Sequence, residues 1–214
     1  MQHLKHPIRL MVGGRSGQGK TTLVIQLIKK CFLKDVQRCF VACPTWYSQR
    51  MFHSLRKIPG AFPDKYCFTE VVDSVFEYVW QQCNKFRAPT LLFVDDAGAE
   101  ASIHKGNKGA FARLCINSRH LNLTIIGIVQ RFTLVTPSFR DNCEAIISFI
   151  PTKDDDVDLI AREFNPSPGH KDGRLEAKRY LLQAWTSRDM FCFIYRPPRN
   201  PKIYFYNGLH TRLN

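Results

Sequence analysis

One stretch near the start of the chain, Gly14 to Thr21, constrains the fold more than any other. It reads Gly-Arg-Ser-Gly-Gln-Gly-Lys-Thr and matches the pattern G-x-x-x-x-G-K-[ST] at every fixed position. A short apolar run, Ile8 to Val12, precedes it, and a segment with helical apolar spacing, Thr22 to Phe32, follows it. A strand, a glycine-rich loop and a helix in this order form a setting in which backbone N–H groups and a helix N-terminus bind phosphate. The sequence therefore predicts a loop that binds the phosphates of a nucleotide.

The residue types in this loop indicate its chemistry. Lys20 is predicted to reach the β- and γ-phosphates, and the Thr21 hydroxyl to ligate Mg²⁺. Glycines have no side chain, so the backbone can approach the phosphates closely. We therefore expect ATP and Mg²⁺ as ligands. The residues predicted to bind the nucleotide are Gly14, Arg15, Ser16, Gly17, Gln18, Gly19, Lys20, Thr21 and Thr22.

Two further apolar runs end in polar residues. Thr90 to Val94 is followed by Asp95 and Asp96, and Leu123 to Val129 is followed by Gln130. Because ligands of open α/β sheets bind at the carboxyl ends of the strands, these side chains should lie beside the phosphate loop. Asp95 is predicted to hold Mg²⁺ through water, and Asp96 to activate the attacking water. Gln130 could contact the γ-phosphate or that water. Alternatively, Asp96 could be a helix cap or a surface acid, and Gln130 could simply end a strand.

Predicted strands and helices alternate along most of the chain, which favours a mostly parallel central sheet flanked by helices. The fold class is thus α/β, of the P-loop NTPase type. A helix is predicted from Thr69 to Phe86, with Thr69 as its possible cap. A length of 214 residues suits a single domain. We expect a core at about residues 8–150 and an extension at about 151–214 that packs on the same domain.

Composition narrows the range of partners. The net charge is +13, and residues 1–66 hold twelve Lys and Arg residues against two acids. Such asymmetry suggests a polyanion partner, most simply nucleic acid.

The chain contains no apolar run long enough to span a bilayer and no signal-peptide pattern at its start, so an intracellular protein is expected. The eight cysteines form no C-x-x-C pair and are interpreted as buried, reduced thiols.

With these motifs in place, the sequence resembles the viral genome-packaging ATPases of the FtsK–HerA superfamily. It is most similar to the poxvirus-type branch found in large DNA viruses, virophages and Polinton-like elements. The resemblance covers about residues 8–150. It rests on Gly14–Thr21, Leu91–Asp96, Ser118-Arg119-His120 before the strand that ends at Gln130, and Arg140-Asp141-Asn142.

The resemblance implies an ATP-hydrolysing motor that translocates double-stranded DNA into a preformed capsid. It implies a homo-oligomeric ring, a hexamer or pentamer, with ATP between subunits and with capsid portal or vertex proteins as partners. Such a motor would act inside the infected cell at the site of viral assembly. Gln130 would be the sensor, and Arg119 would be an arginine finger, with Arg140 as the second candidate. Either arginine could instead be a surface or DNA-contacting residue.

Other functions remain open at the level of sequence. A helicase would share the phosphate loop and the acids after the Thr90–Val94 run. A nucleoside or nucleotide kinase would also bind ATP, but it has no need of a basic surface. A GTPase is disfavoured because neither Asn84-Lys85 nor Asn107-Lys108 is followed by the Asp that reads guanine. A nucleotide-binding protein without hydrolysis is disfavoured by the intact Lys20, Thr21, Asp95 and Asp96.

Overall fold

A computed structural model describes residues 4–95, 109–151, 153–163, 173–185, 190–196, 202–207 and 211–212. Within them lie nine strands: β1 (Arg9–Gly13), β2 (Arg38–Ala42), β3 (Cys67–Phe68), β4 (Thr90–Val94), β5 (Leu123–Val129), β6 (Ala145–Ser148), β7 (Met190–Tyr195), β8 (Lys202–Asn207) and β9 (Thr211–Arg212). The helices of these residues are α1 (Lys20–Leu27), α2 (His53–Arg56), α3 (Asp73–Phe86), α4 (Ala110–Asn117), α5 (Pro137–Asn142), α6 (Asp154–Glu163) and α7 (Gly173–Ala184).

The nine strands form one sheet in the order β3-β2-β4-β5-β1-β6-β7-β8-β9. The six strands from β3 to β6 along this order pair in parallel, and β7, β8 and β9 continue the sheet in antiparallel pairing. The prediction of a mostly parallel α/β sheet is confirmed. Because the six parallel strands run the same way, their carboxyl ends meet at a single edge of the sheet.

Helices cover both faces of this sheet, and each face has its own apolar core. Along β1, Met11 packs into one core while Leu10 and Val12 pack into the other, as the alternation of side chains along a strand requires. The first core includes Phe76 of α3 and residues of α4, α6 and α7. The second includes Val24 of α1. Burial on both faces explains why the central strands are continuous apolar runs rather than alternating ones.

The helix predicted to start at Thr69 begins four residues later. Its N-cap is Val72, whose backbone is extended at φ −123° and ψ 159°, so the prediction of Thr69 as the cap is wrong. Two β-branched residues in a row, Val71 and Val72, favour an extended backbone. Val71 also reaches the core, with 1% of its surface exposed. The acid that suits the positive end of the helix is Asp73, in the first turn.

The cysteines lie mostly inside the protein. Seven of the eight are buried, Cys31 is partly buried, and each is a free thiol. Burial raises the pKa of Cys39 and Cys67 to about 12. In the part of the chain that the structure describes, no helix has the length and apolar character needed to cross a membrane.

Candidate active site

The phosphate loop leaves β1 through three glycines with positive φ angles. Gly14, Gly17 and Gly19 have φ values of 143°, 76° and 88°, a region that residues with a Cβ adopt only with strain. At Gly14 a Cβ would also lie 2.6 Å from Oε1 of Gln18 and 2.6 Å from Cβ of Phe149. The loop can therefore keep this path only with glycine, and the path turns its backbone towards the start of α1.

Lys20, the first residue of α1, points its ammonium group back into the loop. Its Nζ atom donates hydrogen bonds of 2.7 Å to the carbonyl oxygens of Gly14 and Arg15. Only 8% of the residue is exposed. The positive charge is therefore held inside the curve of the loop, where oxygen atoms of a phosphate could replace these two carbonyls.

A cavity of about 230 Å³ opens in front of the loop. Residues from four parts of the chain line it: Ser16, Gly17, Gly19, Lys20, Thr21 and Thr22 from the loop and α1, Pro44, Thr45, Gln49 and Met51 after β2, Asp95 after β4, and Ile128 and Gln130 on β5 and at its end. The strand order explains this convergence. Since β5 lies between β1 and β4, Gln130 lies between the phosphate loop and Asp95.

Asp95 is partly buried at the carboxyl end of β4. Its backbone N–H donates to the Ala42 carbonyl at 3.0 Å, and its Oδ2 atom accepts a hydrogen bond from the Cys43 thiol at 3.7 Å. Burial, with a smaller contribution from the Asp95 charge, raises the pKa of Cys43 to about 12. The thiol therefore stays neutral and adds no second negative charge beside the carboxylate.

The donor set of the cavity fits a hard divalent cation. The Thr21 hydroxyl and the Asp95 carboxylate line the same space, and oxygen ligands of this kind suit Mg²⁺. The predicted metal-binding residues are thus brought together. The residue next to Asp95 in the sequence, Asp96, lies outside the described residues.

The turn that follows Gln130 is fixed on two sides. The Phe132 ring lies against Gly13 so closely that a Cβ on this glycine would be 2.1 Å from Cζ of the ring. The Thr133 backbone N–H donates to Oδ1 of the buried Asp156 at 2.9 Å. Gln130 is therefore held between the base of the phosphate loop and α6. Sequence reasoning missed these contacts, because nothing in the run Asp154-Asp155-Asp156 tells which of the three acids is buried.

The loop itself also contacts the segment after β6. Nε of Arg15 donates to the Pro151 carbonyl at 3.2 Å. Gln18 is 92% buried, with 8% of its surface exposed, and lies against Gly14. Gln18 thus packs inside the loop, whereas Arg15, Ser16 and Gly17 are exposed, and Ser16 and Gly17 line the cavity.

Arg119 lies at the opposite edge of the sheet. Its Nε and Nη2 atoms donate to Oε1 of Glu144 at 3.0 and 2.8 Å. Glu144 directly precedes β6, and it accepts hydrogen bonds from the backbone and side chain of Arg9, the first residue of β1. From Arg9 to the phosphate loop the strand spans about 13 Å. Arg119 is therefore too far away to contact a nucleotide bound in its own subunit.

Arg140 is engaged inside the protein. Its Nε and Nη2 atoms donate to the two carboxylate oxygens of Glu163 at 3.0 and 3.2 Å. Its Nη1 atom donates to the carbonyl oxygens of Phe132 and Val135. This guanidinium ties α5 and α6 to the turn after Gln130, which is a structural task.

The sheet order, the glycine loop and the convergent polar side chains define a P-loop nucleoside triphosphatase fold, as predicted. Within that class, the chain belongs to the poxvirus A32 protein family, whose family model matches residues 1–175. This match confirms the resemblance to the poxvirus-type branch. No curated protein matches the chain significantly.

Solved structures with the same fold include viral packaging enzymes. The genome packaging NTPase B204 of Sulfolobus turreted icosahedral virus 2, in complex with AMP, is 17% identical with a TM-score of 0.69, and the match covers 96% of this chain and 100% of that one. B204, the DNA-packaging ATPase of Sulfolobus turreted icosahedral virus, is 16% identical with a TM-score of 0.67, covering 96% and 100%. The pCW3 conjugation coupling protein TcpA in complex with ATPγS is 12% identical with a TM-score of 0.58, covering 93% and 59%.

Proposed function

We propose that this protein is an ATP-hydrolysing motor that moves double-stranded DNA into a preformed viral capsid. The observation that carries the proposal is the single cavity in which the phosphate loop, Asp95 and Gln130 meet. Membership of the poxvirus A32 family supports it. So does a fold shared, over nearly the full length of both chains, with proteins described as genome-packaging NTPases.

In this proposal the phosphate loop, the two aspartates after β4 and Gln130 each have one task. The loop from Gly14 to Thr22 binds the phosphates, and Lys20 exchanges its carbonyl partners for oxygens of the β- and γ-phosphates. Thr21 and Asp95 hold Mg²⁺, which when bound neutralises charge that develops on the phosphate oxygens. Gln130 contacts the γ-phosphate or the attacking water, and Asp96 accepts the proton of that water. Hydrolysis then releases ADP and phosphate.

A positive charge for the transition state would come from a second subunit. Arg119 is exposed over 59% of its side chain, and it lies at the amino edge of the sheet, away from its own cavity. An arginine in this position can serve a neighbour's nucleotide, and such a group accelerates hydrolysis by roughly 10³–10⁵. Heterologous contact of this kind generates a ring when the rotation closes. We therefore propose a homo-oligomeric ring, a hexamer or pentamer, with Arg119 acting on the adjacent subunit.

DNA and the capsid are the remaining partners of the proposed motor. A net charge of +13 supports a polyanionic substrate. Docking on capsid portal or vertex proteins would place the ring at the site of viral assembly inside the infected cell.

The proposal is tested by measuring ATP turnover with and without duplex DNA, together with the mass of the protein in solution. A ring whose ATPase activity rises several-fold on duplex DNA is the expected result. Phosphate transfer to a nucleoside or nucleotide acceptor by a monomer or dimer would instead identify a kinase. Directional strand separation on a forked duplex would identify a helicase.

A further inference from the structure

The segment that follows β2 combines two features. Residues 44–57, which we call the basic segment, line the nucleotide cavity through Pro44, Thr45, Gln49 and Met51. The same segment exposes Arg50, His53 and Lys57 to solvent. A single short stretch thus contacts the nucleotide site on one side and presents basic side chains on the other.

Large aromatic side chains fix the base of this segment. The Trp46 ring lies 5.1 Å from the Phe52 ring and 5.5 Å from the Phe62 ring, centroid to centroid. The Phe52 ring in turn lies 6.0 Å from the ring of Phe93, two residues before Asp95 on β4. Trp46 and Phe52 are fully buried. The basic segment is therefore packed directly against the strand that carries Asp95.

The outward side chains share one face of the segment. Residues 50–52 form a 3₁₀ turn that runs into α2, so Arg50, His53 and Lys57 recur at the i, i+3 and i+7 spacing of one helical side. Phe52 and Leu55 point the other way and are buried. The exposed face therefore carries the positive charges of Arg50 and Lys57 and the imidazole ring of His53, which can form hydrogen bonds.

The basic segment and the residues that flank it in the sequence contain no carboxylate. The sequence has no acidic residue between Asp35 and Asp64, and Oδ1 of Asp64 accepts a hydrogen bond from the Tyr47 hydroxyl at 3.1 Å. The Arg56 guanidinium lies over the Tyr47 ring at 6.0 Å from its centroid. The charge of Arg50 and Lys57 therefore stands in a stretch of sequence where few acids compete with an external anion.

We propose that the basic segment binds the phosphate backbone of duplex DNA, and that Arg50 and Lys57 make the phosphate contacts. This inference rests on the proposed motor function and names the DNA surface of that motor. Its position would link the two substrates, because Gln49 and Met51 line the nucleotide cavity while Arg50 between them is exposed to solvent. A change in the cavity between the ATP and ADP states would move the DNA-contacting side chains through the same backbone.

Phosphate contacts have a recognisable signature. Removing a phosphate contact weakens binding about equally on all DNA sequences. Each lost contact also lowers the slope of log affinity against log salt concentration by roughly one. The variant Arg50→Gln/Lys57→Gln should therefore bind two unrelated duplexes more weakly by a similar factor, with a salt slope reduced by about two. Neither residue lines the cavity, so ATP turnover without DNA should stay near the wild-type rate.

The matched control is Lys29→Gln/Lys34→Gln, which removes the same number of charges at the other edge of the sheet. Both lysines are exposed, and Lys34 borders a hollow formed with Leu4 and His6, before β1 begins. Affinity is measured by fluorescence anisotropy of labelled duplexes over a salt series, and ring formation by solution mass. The control should bind DNA with nearly the wild-type salt slope.

Three outcomes would overturn the inference. If the control loses affinity and Arg50→Gln/Lys57→Gln does not, DNA binds elsewhere while the motor function stands. If Arg50→Gln/Lys57→Gln dissociates the ring but its salt slope is unchanged, the basic segment contacts a neighbouring subunit. If the wild-type protein neither binds duplex DNA nor responds to it in ATP turnover, the proposed function fails as well.

Discussion

The Cys43 thiol and the Asp95 carboxylate are joined by a hydrogen bond of 3.7 Å between Sγ and Oδ2, at the ends of two neighbouring strands. The raised pKa of Cys43, about 12, keeps the thiol protonated, so it orients the carboxylate without competing for a cation. Mutation of a group that orients a metal-binding side chain typically lowers metal affinity or activity by roughly 10–100-fold.

We therefore expect Cys43→Ala to raise the Mg²⁺ concentration needed for half-maximal ATP turnover by up to about tenfold, and Asp95→Asn to raise it much more. Cys43→Ser keeps a donor at this place and should resemble the wild type. A Mg²⁺ titration of the ATPase rate measures all three variants. Equal requirements in Cys43→Ala and the wild type would show that the thiol does not orient Asp95.

The Lys20 ammonium group is held inside the phosphate loop by hydrogen bonds to two carbonyl oxygens. Its removal therefore tests phosphate binding directly. Lys20→Ala should lower ATP turnover by about 10²-fold or more, because the charge aimed at the β- and γ-phosphates is lost. The affinity for ATP should fall more than the affinity for AMP, which has neither phosphate. Turnover and equilibrium binding of both nucleotides test this, and wild-type turnover would remove Lys20 from the catalytic residues.

The contact between Gly13 and Phe132 allows the position of Gln130 to be changed by a substitution outside the cavity lining. Gly13→Ala introduces a Cβ that would stand 2.1 Å from the Phe132 ring, so the ring and the turn after Gln130 must shift. Overpacking of this kind costs about 1–3 kcal/mol, and displacement of Gln130 should lower kcat more than it raises KM. Phe132→Leu should relieve part of the loss, so the two changes should not be additive in denaturant unfolding. Additive losses would contradict the contact.

Arg119 is predicted to act only across a subunit boundary. Arg119→Ala and Asp96→Asn chains should each be inactive alone, whereas a mixture should recover activity where an intact site meets an intact arginine. In an equal mixture about a quarter of ring interfaces meet this condition. ATP turnover is measured over a series of mixing ratios after the chains exchange. Activity that never rises above that of either parent would remove Arg119 as the finger.

Arg140 supplies the control for this experiment. Its bonds to Glu163 and to two backbone carbonyls are internal, so Arg140→Ala should destabilise the fold by about 3–5 kcal/mol, as expected for breaking a buried ion pair. It should not be complemented by Asp96→Asn chains. Recovery with Arg140→Ala but not with Arg119→Ala would exchange the roles of the two arginines.

Glu144 should make the stability of the protein dependent on pH. Burial by itself would raise its pKa, but hydrogen bonds and charge from Arg9, with a further hydrogen bond from Arg119, lower the pKa below the ordinary value of 4.5. A lowered folded-state pKa stabilises the fold above the unfolded pKa, and this contribution is lost as the pH falls through the folded pKa. Glu144→Gln should therefore destabilise the fold by up to about 3–5 kcal/mol at neutral pH, because it removes the charged partner of the buried Arg9 guanidinium.

The difference between the wild type and Glu144→Gln should shrink once the pH is below the ordinary carboxyl pKa. Urea unfolding at pH 7 and at pH 3.5 measures this difference. Arg119→Gln is the matched control, since its exposed ion pair should contribute no more than about 1 kcal/mol at either pH. A gap between wild type and Glu144→Gln that is the same at both pH values would show that the carboxylate charge is not what stabilises the fold.

Sequence reasoning succeeded where the structure is determined by a few neighbouring residues. The apolar run of β5 was predicted with the bounds that the structure has, Leu123 to Val129, and the polar residues Asp95 and Gln130 were placed at the edge where they are found. Each of these predictions depends on a few neighbouring residues. The wrong start of α3 shows the limit, because Thr69 offered a cap while the burial of Val71 decided the backbone path.

The contacts that hold the site were beyond reach from the sequence. Glu144 meets Arg9 across 135 positions and Arg119 across 25, and only the packing of β1 between β5 and β6 brings them together. Phe132 is a further case, since nothing in its neighbourhood marks it as the ring that rests on Gly13. Likewise, alternation of residue types does not reveal that β5 lies between β1 and β4, and hence that Gln130 separates the phosphate loop from Asp95.

The described sheet has nine strands, and the strands at its two margins, β3 and β9, are each two residues long. A wide sheet with long free margins offers unpaired backbone groups to any passing strand and tends to polymerise. Strands of two residues offer few backbone N–H and C=O groups with which a second chain could pair. We therefore expect the subunits of the proposed ring to contact one another through side chains on helices and loops rather than by extending one another's sheet, a mode of contact that does not fix their relative orientation through a backbone ladder.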